Sequence, residues 1–166
     1  MKTMKNGAVL ILVVLLLAAC ASLSPPKRAA YTGQDQVGAV DANMLIGSWN
    51  GEILNPIEGE QDTVYKIEYR ADGTVTSYSR TKDSSGVMGP MEFEITGTWK
   101  VDGELVTQTA EEIREVSGNK LAAMVASMMG SMKEKMTGTA NIYEASADRI
   151  VLVADEGQAQ ALTRIK

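Results

Sequence analysis

The side chains that most often do chemistry in proteins are scarce in this chain of 166 residues, which has no histidine and a single cysteine, Cys20. A Ser-His-Asp relay, a Cys-His pair and a histidine-bound zinc each need an imidazole, so those designs are excluded. Carboxylates remain. Glu92 and Glu94 stand two apart in "MEFEITGTWK", and Glu111, Glu112 and Glu115 crowd "EEIRE". Two carboxylates cleave a glycoside only across a cleft of defined width, with one of them holding its proton. Alternate residues of a strand share a face, which puts Glu92 and Glu94 together on the side opposite Phe93, a solvated surface. Asp155-Glu156-Gly157 lacks the ligand spacing of a calcium loop and reads as a turn, and no glycine-rich phosphate loop is present. The expectation is a non-enzyme with no catalytic residue, no metal and no cofactor.

Cys20 has another chemistry in view. Lys2 and Lys5 precede a continuous apolar run, Ala8 to Ala19. Twelve residues fall short of the roughly 20 a helix needs to span a bilayer. A short positive segment, a short apolar run and small residues make a signal peptide, residues 1–19. Leu17-Ala18-Ala19-Cys20 resembles the lipobox of bacterial lipoproteins. The resemblance implies that the Cys20 thiol carries diacylglycerol, that the chain is cut before it, and that the new amine is acylated. Ala21 stands where an Asp would signal inner-membrane retention. The implied address is therefore the bacterial cell envelope, lipid-anchored at the outer membrane and facing the periplasm.

With residues 1–19 removed, 147 remain, carrying fourteen basic and twenty-one acidic residues, a net charge of −7. An acidic surface argues against nucleic acid and against electrostatic adhesion to anionic lipid, leaving the lipid on Cys20 as the attachment. No second cysteine exists for an intramolecular disulfide, although the exported compartment would permit one. From Ala21 to Val40 the chain is small, polar and proline-bearing, without helical or strand period. Residues 20–40 thus read as the lipidated Cys and a flexible tether, about 25 Å long on average.

From Asp41 the pattern changes, and 147 residues suffice for one domain with a real core. "DANMLIG" offers a capped helical turn, and "SWNGEIL" opens a series of short alternating runs. Tyr65, Ile67 and Tyr69 share one face. "ADG" at 71–73 signals a hairpin, and the strand from Thr74 to Lys82 returns. Met91, Phe93, Ile95, Gly97, Trp99 and Val101 alternate with polar residues in the cleanest strand, and "VDG" at 101–103 turns into Glu104 to about Glu115. Further strands follow over Thr137 to Ala145, Arg149 to Ala154 and Ala159 to Ile165. About eight strands in sequence order, joined by tight turns, predict an all-β, up-and-down barrel, since closure removes the edges; an open sandwich is the competitor.

One helix interrupts the strands, from Asn119 to about Met136. Leu121, Met124, Val125, Met128, Met132 and Met136 form a stripe at helical spacing. Methionine repacks readily around varied partners. The stripe fits three roles: packing on the barrel, closing its mouth as a lid, or docking a partner.

"LIGSWNG" resembles the G-x-W motif of lipocalins and the wider calycin group: a helical turn, then Gly47, Ser48 and Trp49 opening the first strand. The resemblance implies that residues 41–166 form a lipocalin-like barrel whose closed end is plugged by Trp49, with Arg164 of the last strand over the indole as a cation–π pair. The T-D-Y motif of typical lipocalins is absent. "ITGTWKVDG" echoes the first motif, and its glycines read as points where strands bend. On the barrel reading, Tyr65, Ile67, Tyr69, Phe93, Ile95 and Trp99 line the interior, with Met124, Met128 and Met132 near the mouth, as candidate ligand contacts. Eight strands leave room either for packed side chains or for one small ligand. Two functions follow. One is a membrane-anchored binding protein for a small apolar ligand. The other is an envelope interaction or inhibitor protein whose filled barrel docks a protein partner.

Overall fold

The structure, a computed structural model, describes residues 28–57, 63–81, 89–131 and 136–166. Eight strands follow one another in chain order: β1 (Gly47–Ile53), β2 (Thr63–Tyr69), β3 (Thr74–Thr81), β4 (Met91–Asp102), β5 (Leu105–Glu115), β6 (Thr137–Ala145), β7 (Arg149–Ala154) and β8 (Ala159–Arg164). Each pairs antiparallel with its neighbours, and β1 pairs with β8, closing the barrel. The up-and-down barrel expected from the sequence is therefore the fold, and the sandwich is not.

Alternation explains why these residues make these strands. In β4 every second residue from Met91 to Trp99 is buried. β7 reads differently, as a continuous apolar run, Ile150 to Ala154, buried on both faces. Ile150 and Leu152 join the interior, whereas Val151 and Val153 pack on the outside with Ala159, Ala161, Tyr31, Leu54 and Tyr143.

β4 and β5 are the longest strands, and they bend at a register shift between Thr96 and Gly97. A Cβ on Gly97 would lie 2.0 Å from the Thr109 carbonyl oxygen. Only glycine lets β5 come this close, which is the bend its motif suggested. Past this point the two strands run beyond the start of β6, whose first partner is Thr109.

The helix, α1 (Lys120–Gly130), follows β5 and is shorter than expected. Asn119 caps it through its side chain, accepting from the Leu121 and Ala122 amides. Met136, expected to close the helical stripe, instead lies beside β5, its carbonyl accepting from the Ala110 amide at 3.0 Å.

The second half of the stretch read as tether is not loose. Residues 28–40 run along the barrel wall: Tyr31 packs edge-on against Tyr143, the Val37 amide donates to Ile142 and the Val40 amide to Gly103. Isolated apolar residues and backbone hydrogen bonds hold this strap, neither of which leaves a periodic signal. Cys20 and the lipobox lie outside the described residues.

Candidate functional site

The barrel has two unlike ends. At one, a 3-10 turn, Ala42–Met44, leads into β1, and the β2–β3, β4–β5 and β6–β7 turns cluster. Trp49 is wholly buried there, its indole N–H donating to the Leu45 carbonyl at 2.7 Å. The Arg164 guanidinium lies 4.0 Å above the ring. Arg164 also donates to the carbonyls of Met44 and Ile46, each at 2.9 Å, and to that of Ala147. Gly47 is needed at this point: its φ is +134°, and a Cβ would come 2.4 Å from an Arg164 nitrogen. Gly47, Trp49 and Arg164 thus form one closed-end plug.

Behind the plug the interior is filled. Ile67, Tyr69 and Trp99 belong to the same buried cluster as Trp49, with Leu45, Val106, Ile142, Leu152 and Leu162. The Tyr69 and Trp99 rings are 4.9 Å apart. Tyr69 accepts from the Gln108 amide at 2.6 Å, and burial holds its phenol above the usual range, so it stays neutral. Three of the expected ligand contacts are therefore packed core in this half of the barrel.

Toward the other end the lining changes. Directly paired residues share a face, so Gly51, Tyr65, Ser79 and Phe93 make one inward row and Trp49, Ile67, Ser77 and Ile95 the next. Small groups dominate on β3. A cavity of about 10 Å³ borders Val75, Ser77, Ile95, Gly97, Gln108 and Ala110, the room one water needs.

Gln160 is the residue that sequence reading missed. It pairs with Ile53 on one side and Leu152 on the other, which turns it inward. It is 1% exposed, and its Nε2 has no hydrogen-bond partner among the described residues. That nitrogen lies over Gly51, 2.7 Å from where a Cβ would be, in the row of Tyr65. The signal was present in "GQAQALTR", where alternation from Arg164 runs back through Leu162 to Gln160 and Gln158.

α1 sits at this second end. Ala122, Ala126 and Met129 are buried with Met91, Phe93, Ile95, Ala110 and Ile113, so the helix packs on the inward face of the β4–β5 extension. Phe93 and Ile95 are thus covered by the helix. Met124 and Met128, placed at the mouth by the sequence pattern, turn away: they are 64% and 50% exposed, and Leu121 is exposed beside them. The alanine face won because small side chains let helix and strands approach closely, whereas the more hydrophobic methionines would hold them apart. Met132 lies outside the described residues.

The carboxylates are engaged on the outer surface. Glu92 accepts from Tyr78 at 2.6 Å and pairs with Arg80 at 3.0 Å, and Glu94 pairs with Arg114. The Glu92 bond holds the Tyr78 phenol above its ordinary value. Glu115 accepts from the backbone amides of Ser117, Gly118 and Asn119 and from the Ser117 hydroxyl, contacts that hold its carboxyl below the usual range. Asp155 accepts from Thr139 in the β7–β8 turn. Among the described residues no group of acidic side chains is arranged to hold a metal.

No family model matches the sequence, and no curated protein matches it. Similar solved structures include an uncharacterized protein from Bacteroides eggerthii, 12% identical, with a TM-score of 0.43, covering 73% of this chain and 99% of that one. A lipocalin-like protein from Bacteroides uniformis is 11% identical with a TM-score of 0.41, covering 74% and 99%. A redesigned β-barrel is 15% identical with a TM-score of 0.37, covering 75% and 95%. The lipocalin-like character of the fold is carried by this chain's own geometry: eight meandering strands closed on themselves, and Trp49 beneath Arg164 at one end.

Proposed function

We propose that this protein is a lipid-anchored binding protein of the bacterial envelope, held to the outer membrane through acylated Cys20, with a small apolar molecule bound inside its barrel on the periplasmic side. The lipobox supports the anchor. The observation that supports binding is Gln160, a buried amide facing the interior with its Nε2 unpartnered among the described residues. Leaving such a donor unsatisfied costs about 1–3 kcal/mol, a cost that a ligand oxygen in the row of Gly51, Tyr65 and Ser79 would remove. Arg164 is committed at the opposite end. A neutral carbonyl or hydroxyl oxygen therefore suits the amide better than a carboxylate, which would be buried without a counter-charge.

Titration with Nile red, a neutral fluorophore bearing one carbonyl, tests this. Native protein should show saturable uptake at one site, and Gln160→Leu should bind roughly 3–10-fold more weakly, the worth of one hydrogen bond, without a lower melting temperature. Uptake that never saturates, or equal affinity in both proteins, would sink the proposal. The filled closed half and the exposed methionines favour the second reading, an interaction or inhibitor protein, which expects no saturable uptake at all.

A further inference from the structure

We infer that the exposed face of α1 rests on the bilayer that holds the anchor, so that the helix-covered end of the barrel faces the membrane. The inference depends on the proposed acylation of Cys20. Its first support is where the described chain begins. Arg28 donates to the Asn55 carbonyl, and Asn55 donates to the carbonyls of Ala29 and of Gly157 in the β7–β8 turn. These groups stand at the end opposite Trp49 and Arg164. The strap then climbs the wall to Gly103 at the plugged end, so the anchor leaves the molecule from the rim that also carries α1.

The reach of residues 21–27 is short. Seven residues, 21–27, separate Cys20 from Arg28, eight steps along the chain, and a fully extended chain covers at most about 3.3–3.6 Å per residue. The rim is thus held within about 28 Å of the acylated residue. α1 is tied to the same rim, because Ser117 and Asn119 both donate to the Pro90 carbonyl before β4.

The second support is the helix surface. Leu121, Met124 and Met128, at i, i+3 and i+7, form one exposed apolar stripe beside the buried alanine face. An amphipathic helix lies in a membrane interface with such a stripe turned to the acyl chains. The local charge agrees: the one charged residue of α1 is Lys120, in a chain that is acidic as a whole. Two signals, lipid and stripe, would fix orientation where lipid alone fixes only position.

The acylated chain offers a direct test, because lipidation of Cys20 leaves no other thiol. Full-length Met124→Cys and Glu104→Cys proteins, the latter marking the turn at the plugged end, are labelled with bimane. They are then reconstituted into vesicles of phosphatidylethanolamine and phosphatidylglycerol carrying a lipid-borne nitroxide quencher. The expected result is one labelled thiol per chain, at least threefold quenching of bimane at 124, and none at 104. A vesicle-bound chain with one thiol whose bimane at 124 stays aqueous overturns the docking and leaves the anchor standing. Equal quenching at both positions overturns it too, since the barrel would then lie without preferred orientation. Two reactive thiols on a chain that washes from the vesicles overturn the anchor and the docking together.

Discussion

At the scale of single residues, the closed-end plug was the most legible part of the chain. Trp49 and Arg164 pair directly with each other at one end of the β1–β8 seam, and it was the resemblance of "LIGSWNG" to the lipocalin G-x-W motif that implied the pair. An indole is rarely buried without a partner for its N–H, and Trp49 finds its own in the Leu45 carbonyl. Gln160 was passed over for the opposite reason: an amide carries no hydrophobicity to mark it as buried, although alternation back from Leu162, which the register of β8 bears out, turns it inward. The plug gives a graded prediction in urea unfolding. Trp49→Ala should cost about 3–5 kcal/mol, the usual penalty for emptying a large core site. Gly47→Ala should cost about 1–3 kcal/mol, because alanine would be strained at positive φ and crowded by the guanidinium. If Gly47→Ala unfolds at the native midpoint, Gly47 does not carry the strain assigned to it.

Among the elements, strands were read closely and the helix only in part. Strand limits depend on alternation against one core, which β4 displays from Met91 to Trp99 and β6 from Gly138 to Ile142. The helix presents a wide apolar arc on which methionines outrank alanines in hydrophobicity, so the pattern named the exposed edge of the arc and missed Ala122 and Ala126. Its N-terminus depends on Glu115, whose carboxylate gathers three successive amides and sets Asn119 in place as the cap. These contacts hold the Glu115 pKa below its ordinary 4.5. A carboxyl lowered by folding stabilises the fold above the unfolded value, and that contribution is lost as pH falls through the lowered one. The amide proton resonances of Ser117, Gly118 and Asn119 should therefore shift together on acidification, with a common midpoint below 4.5, and Glu115→Gln should abolish the transition. A midpoint at or above 4.5 would mean that the carboxylate does not organise this turn.

For the whole molecule, the sequence located the barrel but not its relation to the segment before it. Nothing periodic marks Tyr31, Val37 or Val40, yet they lay residues 28–40 along the wall, close to the start of the barrel. On the proposed anchor an address and an orientation would be coupled: the same residues that fasten the strap would decide which end of the barrel meets the membrane. That coupling exists only if Cys20 is acylated. The modification needs a thiol as nucleophile, which neither serine nor alanine provides. Several acyl chains, at about 0.8 kcal/mol per buried CH₂, hold far more firmly than the single chain that binds only marginally. In cells fed labelled palmitate, the native chain should take up label and run at the size of a chain cut before residue 20. Cys20→Ser should take up none and keep its leader. Because an uncut leader can itself hold a chain to the membrane, processing and label decide the matter rather than fractionation alone. A Cys20→Ser chain that is still cut and still labelled would place the lipid on another residue and detach the barrel's orientation from this cysteine.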